Sequence, residues 1–248
     1  MRYAVIADIH ANLLALRVVL EDIKAQQCSR IVCLGDLVGY NSYPKECLDI
    51  IRELDIPCVK GNHDEYCSSD VPLEGFNPRA TEAVQWTREQ LSEGDRKWLG
   101  ELPYVKLISG FTIVHATLNE PHRWSYVFDT MAAAAHFEHQ TTSVCFFGHT
   151  HVPLAFVRDS AVRGGTYTKF RIEAGKKHFV NVGSVGQPRD NNPKAAYVVY
   201  DLDEGSIELR RLAYPKSDEG GSKGPSLVKN PPRSGPPFLS AANQNEAE

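Results

Sequence analysis

Along the first third of the chain, short unbroken apolar runs alternate with stretches where apolar residues return every three or four positions. Tyr3 to Ala7 is such a run and ends at Asp8-Ile9-His10. Unbroken apolarity over so few residues predicts a strand buried on both faces. Asn12 follows as an N-cap, and Leu13, Leu16, Val19, Leu20 and Ile23 then fall at helical spacing. Arg30 to Leu34 reads as a second buried strand, closed by Gly35-Asp36. Pro44 opens a second helix with Cys47, Leu48, Ile51 and Leu54 on its inner face. Ile56 to Val59 reads as a third strand, ending at Gly61-Asn62-His63-Asp64. The pattern is βαβαβ with polar residues after each strand, the edge where open α/β sheets build their sites.

Residues from about Cys67 to Asn77 read as loop, Pro78 to about Glu93 as helix, and Asp95 to Leu102 as a shorter helix stopped by Pro103. Val105–Ile108 and Phe111–Val114 predict a hairpin around Ser109-Gly110, its second arm ending at His115. A long loop with His122 and Arg123 leads to an Ala-rich helix, Thr130 to Phe137. Ser143 to Phe147 is a strand that delivers Gly148-His149-Thr150-His151. Beyond it the expected strands are Leu154–Val157, Thr168–Ile172, His178–Val182, Ala195–Tyr200 and Ile207–Leu212. Two packed sheets flanked by helices accommodate βα units followed by a β-rich half. Residues 215–248 are rich in Pro, Gly, Ser, Asn and Lys, and read as a disordered tail after a domain spanning 1–214. The alternative is a segment that docks through Phe238-Leu239.

Composition narrows the partners. Hydrophobic residues make up 42% of 248, material for a sizeable core. A net charge of −4 gives no bulk electrostatic reason to expect nucleic acid or a membrane surface as partner. Six cysteines form no C-x-x-C pair, and Cys33, Cys58 and Cys145 lie in apolar runs as reduced, buried thiols would. The chain opens directly into a strand, without a signal-peptide pattern or a membrane-spanning run, so the expected location is cytoplasmic.

Chemistry concentrates at the strand ends. Asp8-x-His10, Gly35-Asp36, Gly61-Asn62-His63-Asp64 and Gly148-His149-Thr150-His151 each follow a strand, and His115 adds a fifth. Five of the nine histidines lie in these segments, a density that reads as a two-metal centre. A strand end is a rigid mount for ligands, and His149 and His151 at i and i+2 can face one side of an extended segment.

These segments resemble the calcineurin-like metallophosphoesterase superfamily. Asp8-Ile9-His10-Ala11-Asn12-Leu13 and Gly183-Ser184-Val185-Gly186-Gln187-Pro188-Arg189 are similar to its small bacterial and archaeal phosphodiesterase-like branch. The resemblance covers about residues 1–214 and implies an α/β fold, a four-layer αββα sandwich of two mixed sheets with a dinuclear metal site at strand ends. It implies Asp8, His10 and His151 on a first metal, Asn62, His115 and His149 on a second, and Asp36 bridging both. A set of imidazoles, carboxylates and an amide suits manganese foremost, with iron, zinc, nickel or cobalt as alternatives, and suits calcium poorly. Two carboxylates against two divalent ions leave a positive centre, matched to an anionic phosphate ester. The implied reaction is attack on phosphorus by a metal-bridging hydroxide, with His63 protonating or stabilising the leaving oxygen. His63 could instead orient Asn62 or Asp36. Arg189, His122 and Arg123 are candidate substrate contacts, Arg189 through its planar fork.

One departure matters. Serine/threonine protein phosphatases of this superfamily carry an Asp three residues after the bridging one, then an Arg. Gly39 and Tyr40 stand there instead, which argues against a protein phosphatase and leaves the partner of His63 open. The expected substrate is a small phosphate ester or a nucleotide. Three functions stay in contention: a phosphodiesterase or phosphatase, a dinucleoside polyphosphate hydrolase or nucleotidase, and a non-catalytic scaffold of the same fold.

Overall fold

The computed structural model describes residues 1–73 and 78–215. In chain order the elements are β1 (Arg2–Ile6), α1 (Leu13–Ala25), β2 (Arg30–Cys33), α2 (Pro44–Glu53), α3 (Asn62–Ser68), α4 (Pro78–Gln90) and α5 (Glu93–Glu101). The hairpin β3 (Val105–Ile108) and β4 (Phe111–Val114) follows, then a 3-10 turn (Pro121–Arg123), α6 (Thr130–Phe137) and β5 (Val144–Phe147). The remaining strands are β6 (Ala155–Arg158), β7 (Val162–Gly165), β8 (Lys169–Arg171), β9 (Lys177–Asn181), β10 (Ala195–Asp201) and β11 (Ser206–Leu212).

Two sheets form, ordered β2-β1-β10-β11-β8 and β3-β4-β5-β9-β6-β7. Each is mixed: β1 pairs parallel with β2 and antiparallel with β10, while β9 pairs parallel with β5 and antiparallel with β6. Side-chain alternation along the central strands divides the apolar residues among three cores. From β1, Ala4 and Ile6 pack with Leu16 and Val19 of α1 and Leu48 and Ile51 of α2. Tyr3 and Val5 point the other way, into a core between the sheets that holds Ile113, Val144 and Phe146. On the far side of the second sheet, Cys145, Phe147 and Phe179 pack against Ala133 and Phe137 of α6. The layers run helices, sheet, sheet, helix, a four-layer αββα sandwich. Phe146 is fully buried at its centre, where truncation to Ala costs about 3–5 kcal/mol.

This arrangement brings the ends of β1, β2, β4 and β5 to one edge. Asp8 N–H donates to the Gly35 carbonyl (3.0 Å), tying the ends of β1 and β2 together. Gly148 N–H donates to the His115 carbonyl (2.9 Å), which does the same for β4 and β5.

Some expectations need correcting. Ile56–Val59 is not a strand; Cys58 makes a single isolated parallel bridge to Cys33. Pro57 has no N–H to donate, which limits ladder formation there. Leu54 caps the end of α2 and is 40% exposed, so it is not on the inner face. Cys67 is not loop; it is buried within α3, which starts at Asn62. β7 was not anticipated: Gly164 and Gly165 dilute its strand signal. Residues 74–77 and 216–248 lie outside the described residues, and with them the loop between Leu73 and Pro78 and the expected tail.

Candidate metal centre

Ligand atoms of Asp8, His10, Asp36 and His151 all lie within 4.8 Å of one another, as do those of Asp36, His115 and His149. Asp36 belongs to both groups. His10 Nε2 and His115 Nε2 stand 3.5 and 3.4 Å from its Oδ2. On the other carboxylate, Asp8 Oδ1 is 3.3 Å from His151 Nε2. Asn62 joins at the second group, its Oδ1 3.3 Å from His115 Nε2. The seven residues expected as ligands therefore meet in one place, and all but Asn62 are buried.

The backbone there is unusual. Asp8, His10, Asp36, His149 and His151 all have positive φ, between 47° and 65°. Side chains seldom adopt this region, although Asp and His are among those that do. Such positions cost of order 1–3 kcal/mol and persist where surrounding structure enforces them. Here the enforcing contacts are visible. Ser184 Oγ–H (2.8 Å) and Gly186 N–H (2.9 Å) donate to the Asp8 carbonyl, so the Gly183–Arg189 segment fastens the end of β1. Asn181 Nδ2–H donates to the Gly148 carbonyl (2.6 Å), holding the turn that carries both histidines. A Cβ at Gly148 would overlap the Asp8 carboxylate, which accepts the His149 N–H at 3.0 Å.

Asp64 contributes most that the sequence reading left out. Its carboxylate accepts the N–H groups of Asp36 (2.7 Å), Leu37 (2.9 Å) and Gly61 (3.0 Å), pinning the Asp36 turn to the start of α3. The signal was available: an acidic residue three positions into a helix commonly reaches back to the cap N–H. The sequence places Gly61–Asp64 at the end of an expected strand, whereas Asn62 starts a helix, and only that start makes the signal usable.

Each histidine of the two groups spends one nitrogen on a backbone carbonyl. His10 Nδ1 meets Val38 O (3.1 Å), His115 Nδ1 meets Leu34 O (2.8 Å) and His151 Nδ1 meets Gln187 O (2.5 Å). His149 uses Nε2 instead, on Trp124 O (2.8 Å). A carbonyl only accepts, so each of these nitrogens carries the proton and the other keeps its lone pair in the neutral ring. Burial holds His10 and His149 well below the usual imidazole range. Burial and then Arg189 lower His151. Two lone pairs then face each other where His10 Nε2 and His151 Nε2 lie 3.1 Å apart, a contact that a shared cation relieves. This donor set fits a divalent transition metal.

The remaining groups respond to the same cluster. Burial opposes charge on His115, but Asp36 and Asp8 outweigh it and lift the group to about 9, so without a cation its second nitrogen also carries a proton, which a bound metal would displace. Burial likewise opposes charge on Asp36, yet His115, His63 and His10 hold it well below the carboxylate range. Burial, with Asp36 beside it, pushes Asp64 up to about 7. His63 is lowered to about 4, chiefly by burial, with Asp36 opposing.

A cavity of about 270 Å³ opens onto this group, lined by Asp36, Asn62, His63, His149, His151 and Arg189 among others. His63 N–H donates to Asp36 Oδ1 (2.8 Å). Its Nδ1 is buried without a hydrogen-bond partner, and a Cβ at Gly39 (φ +89°) would lie 2.5 Å from that atom. The glycine that replaces the protein-phosphatase Asp thus leaves room only for the ring, which packs on Tyr40 (4.4 Å between centroids). Arg189 and Arg123 both line the cavity. His122 is exposed on the 3-10 turn and does not line it. Tyr40, Trp124 and Tyr126 also line it, and nothing in their spacing marked them in the sequence.

A family model for the calcineurin-like phosphoesterase superfamily domain matches residues 1–205. An uncharacterized protein of Methanocaldococcus jannaschii is 36% identical over 218 residues, 85% of this chain and 87% of that protein. A crystal structure of a metallophosphoesterase from Sphaerobacter thermophilus is 36% identical, with a TM-score of 0.76 over 87% of this chain and 89% of that one. A hypothetical protein from Pyrococcus horikoshii shares the fold at 19% identity, with a TM-score of 0.72 over 87% and 89%. Among the described residues no helix is long and apolar enough to cross a membrane.

Proposed function

The chain belongs to the calcineurin-like phosphoesterase superfamily, and from that premise we propose that it is a cytoplasmic, metal-dependent hydrolase of small phosphate esters, a phosphodiesterase or phosphatase. The observation that carries this reading is the set of four buried histidines. Each donates one N–H to a backbone carbonyl and turns its other nitrogen toward Asp8 or Asp36.

Asp8, His10 and His151 would hold one ion and Asn62, His115 and His149 a second, with Asp36 shared. Manganese is the foremost candidate. When bound, such a pair neutralises charge on phosphoryl oxygens and lowers the pKa of water toward ~7, supplying the nucleophile. The chain's own residues do the rest. Two carboxylates and five neutral donors keep the protein's contribution at two negative charges, so an anionic ester is drawn in rather than repelled. Arg189, at the cavity wall, offers a planar fork to phosphate oxygens. His63 enters the cycle neutral, because burial disfavours its charged form. An anionic ester beside the ring adds negative charge and raises its proton affinity. His63 then hydrogen-bonds or protonates the leaving oxygen.

Assaying a phosphodiester, a phosphomonoester and a dinucleoside tetraphosphate side by side tests this, with manganese, zinc, nickel and no added metal. Turnover is expected only in metal-loaded protein. Stripped protein as active as the manganese form would refute the reading, and loaded protein inert on all three esters would favour a scaffold. A nucleotide-directed variant of the same chemistry has its own support in the aromatic wall of the cavity.

A further inference from the structure

One wall of the cavity is aromatic where the chemistry requires nothing aromatic. The loop after β4 places Arg123, Trp124 and Tyr126 against it. Tyr126 lies nearly parallel to His149, with centroids 4.3 Å apart and planes 22° apart. Phe128 continues the row, 5.6 Å from Tyr126 at 10°. The row starts at a member of the Asp/His group and ends in solvent: Tyr126 is 52% exposed and Phe128 53%. The loop is fixed by the contact that orients His149, since the Trp124 carbonyl accepts its Nε2–H. Trp124 and Glu120 both take left-handed backbone (φ 54° and 49°), a conformation that persists where surrounding contacts enforce it.

We propose that Tyr126 and Phe128 form a platform for a nucleobase, and that the substrates are nucleoside phosphate esters. The inference rests on the phosphoesterase reading and narrows its substrate class. Two parallel, half-exposed rings offer flat apolar area that a planar heterocycle covers in the offset geometry aromatic pairs prefer. Arg123 and Arg189 stand at the same cavity with guanidinium groups for phosphate oxygens. Arg123 pairs with Glu120 through Nε (3.0 Å) and Arg189 with Gln187 through one terminal nitrogen (2.8 Å), so each keeps further N–H groups. Phosphate chemistry in the cavity and a stacking surface running outward from it match a molecule built from a phosphate and a base.

Calorimetric titration of manganese-loaded protein with adenosine 5′-monophosphate and with ribose 5-phosphate isolates the base, since the two ligands differ only there. The nucleotide is expected to bind on the order of ten-fold more tightly, the usual scale of one base stacked on an aromatic side chain. Tyr126→Leu and Phe128→Leu, which keep apolar bulk but lose the flat ring, should each shrink that ratio toward one. Equal affinities in the unaltered protein, or a ratio that survives both substitutions, would overturn the proposal. So would sedimentation showing a dimer that the Leu variants convert to monomer without change in the ratio, because the rings would then be an interface between copies. Binding is read without turnover, which separates two failures. A protein that prefers the nucleotide but hydrolyses no ester refutes the phosphoesterase reading alone. One that hydrolyses esters without preferring the nucleotide refutes the platform alone.

Discussion

Two sets of buried histidines in this molecule use their ring nitrogens in opposite ways. At the sheet edge, His10, His115, His149 and His151 each give one N–H to a carbonyl and keep the other nitrogen for Asp8, Asp36 or one another. Behind the second sheet, His136 of α6 spends both. Its Nδ1 accepts the Leu118 N–H (3.1 Å), so its Nε2 carries the proton and donates to Gln140 Oε1 (3.1 Å). The ring stacks on Phe179, with planes 10° apart. Burial by itself therefore says little about function. Between these two sets the second nitrogen makes the difference: beside Asp8 and Asp36 it is left for a cation, whereas in His136 both nitrogens are satisfied within the protein.

Asp36 is where breaking the comparison has the largest consequence. It is the member shared by both groups, so Asp36→Asn removes the charge that each relies on. Loss of an outer partner of a metal ligand typically costs 10–100-fold, and loss of the shared carboxylate should exceed roughly 100-fold in turnover. Metal content by plasma mass spectrometry should fall for both ions. A variant that retained two ions per chain would dissolve the distinction between the regions.

Next in size are His149→Ala and His151→Ala. They sit two residues apart on one strand end but in different groups. Each should lower metal content by about one ion per chain while leaving the other site loaded, since each belongs to only one donor set. Identical losses from the two variants would mean that the groups act as one site.

Much of this was legible in the sequence, for identifiable reasons. Strands buried on both faces announce themselves as unbroken apolar runs, and β1, β2 and β5 each end within a residue or two of a polar motif. Helices α1 and α6 carried clear periodicity or composition, and Asn12 caps α1 as its side chain suggested, accepting the Ala15 N–H (3.1 Å). What failed was short or contact-dependent. The Ile56–Val59 run is apolar enough for a strand but makes only one bridge. The bond from Asp64 to the Gly61 N–H follows from helix-start spacing, but its bonds to Asp36 and Leu37 join a distant segment, and no spacing rule encodes those. The aromatic wall was invisible because Tyr40 and Tyr126 are 86 positions apart and only the folded loop joins them.

Asp64 extends the comparison from ligands to the scaffold behind them. Asp64→Asn keeps the shape but turns one acceptor into an N–H₂ group facing backbone N–H donors. Metal affinity and activity should fall by roughly 10–100-fold, as for other residues that orient ligands. Thermal unfolding should show a loss of about 1–3 kcal/mol from the donors left unsatisfied in a buried site. Near-native metal affinity in a folded variant would show that Asp36 holds its strained turn without the clamp.

The smallest effect tests the other region. Burial holds His136 down to about 3, with the Gln140 hydrogen bond opposing, whereas the unfolded chain titrates near the ordinary 6.5. Below pH 6.5 the unfolded chain takes up a proton that the folded chain refuses. The stability owed to a neutral His136 is therefore complete above pH 6.5 and declines as pH falls toward about 3, by at most about 1.4 kcal/mol per unit. His136→Gln cannot titrate, so its stability should fall less steeply across that window than that of the unaltered protein. Urea unfolding at pH 7, 6 and 5 measures both slopes, and the difference isolates His136 from the other buried imidazoles. Matching slopes would mean that His136 takes up a proton without leaving its pocket, and the line drawn between the two kinds of buried histidine would fall.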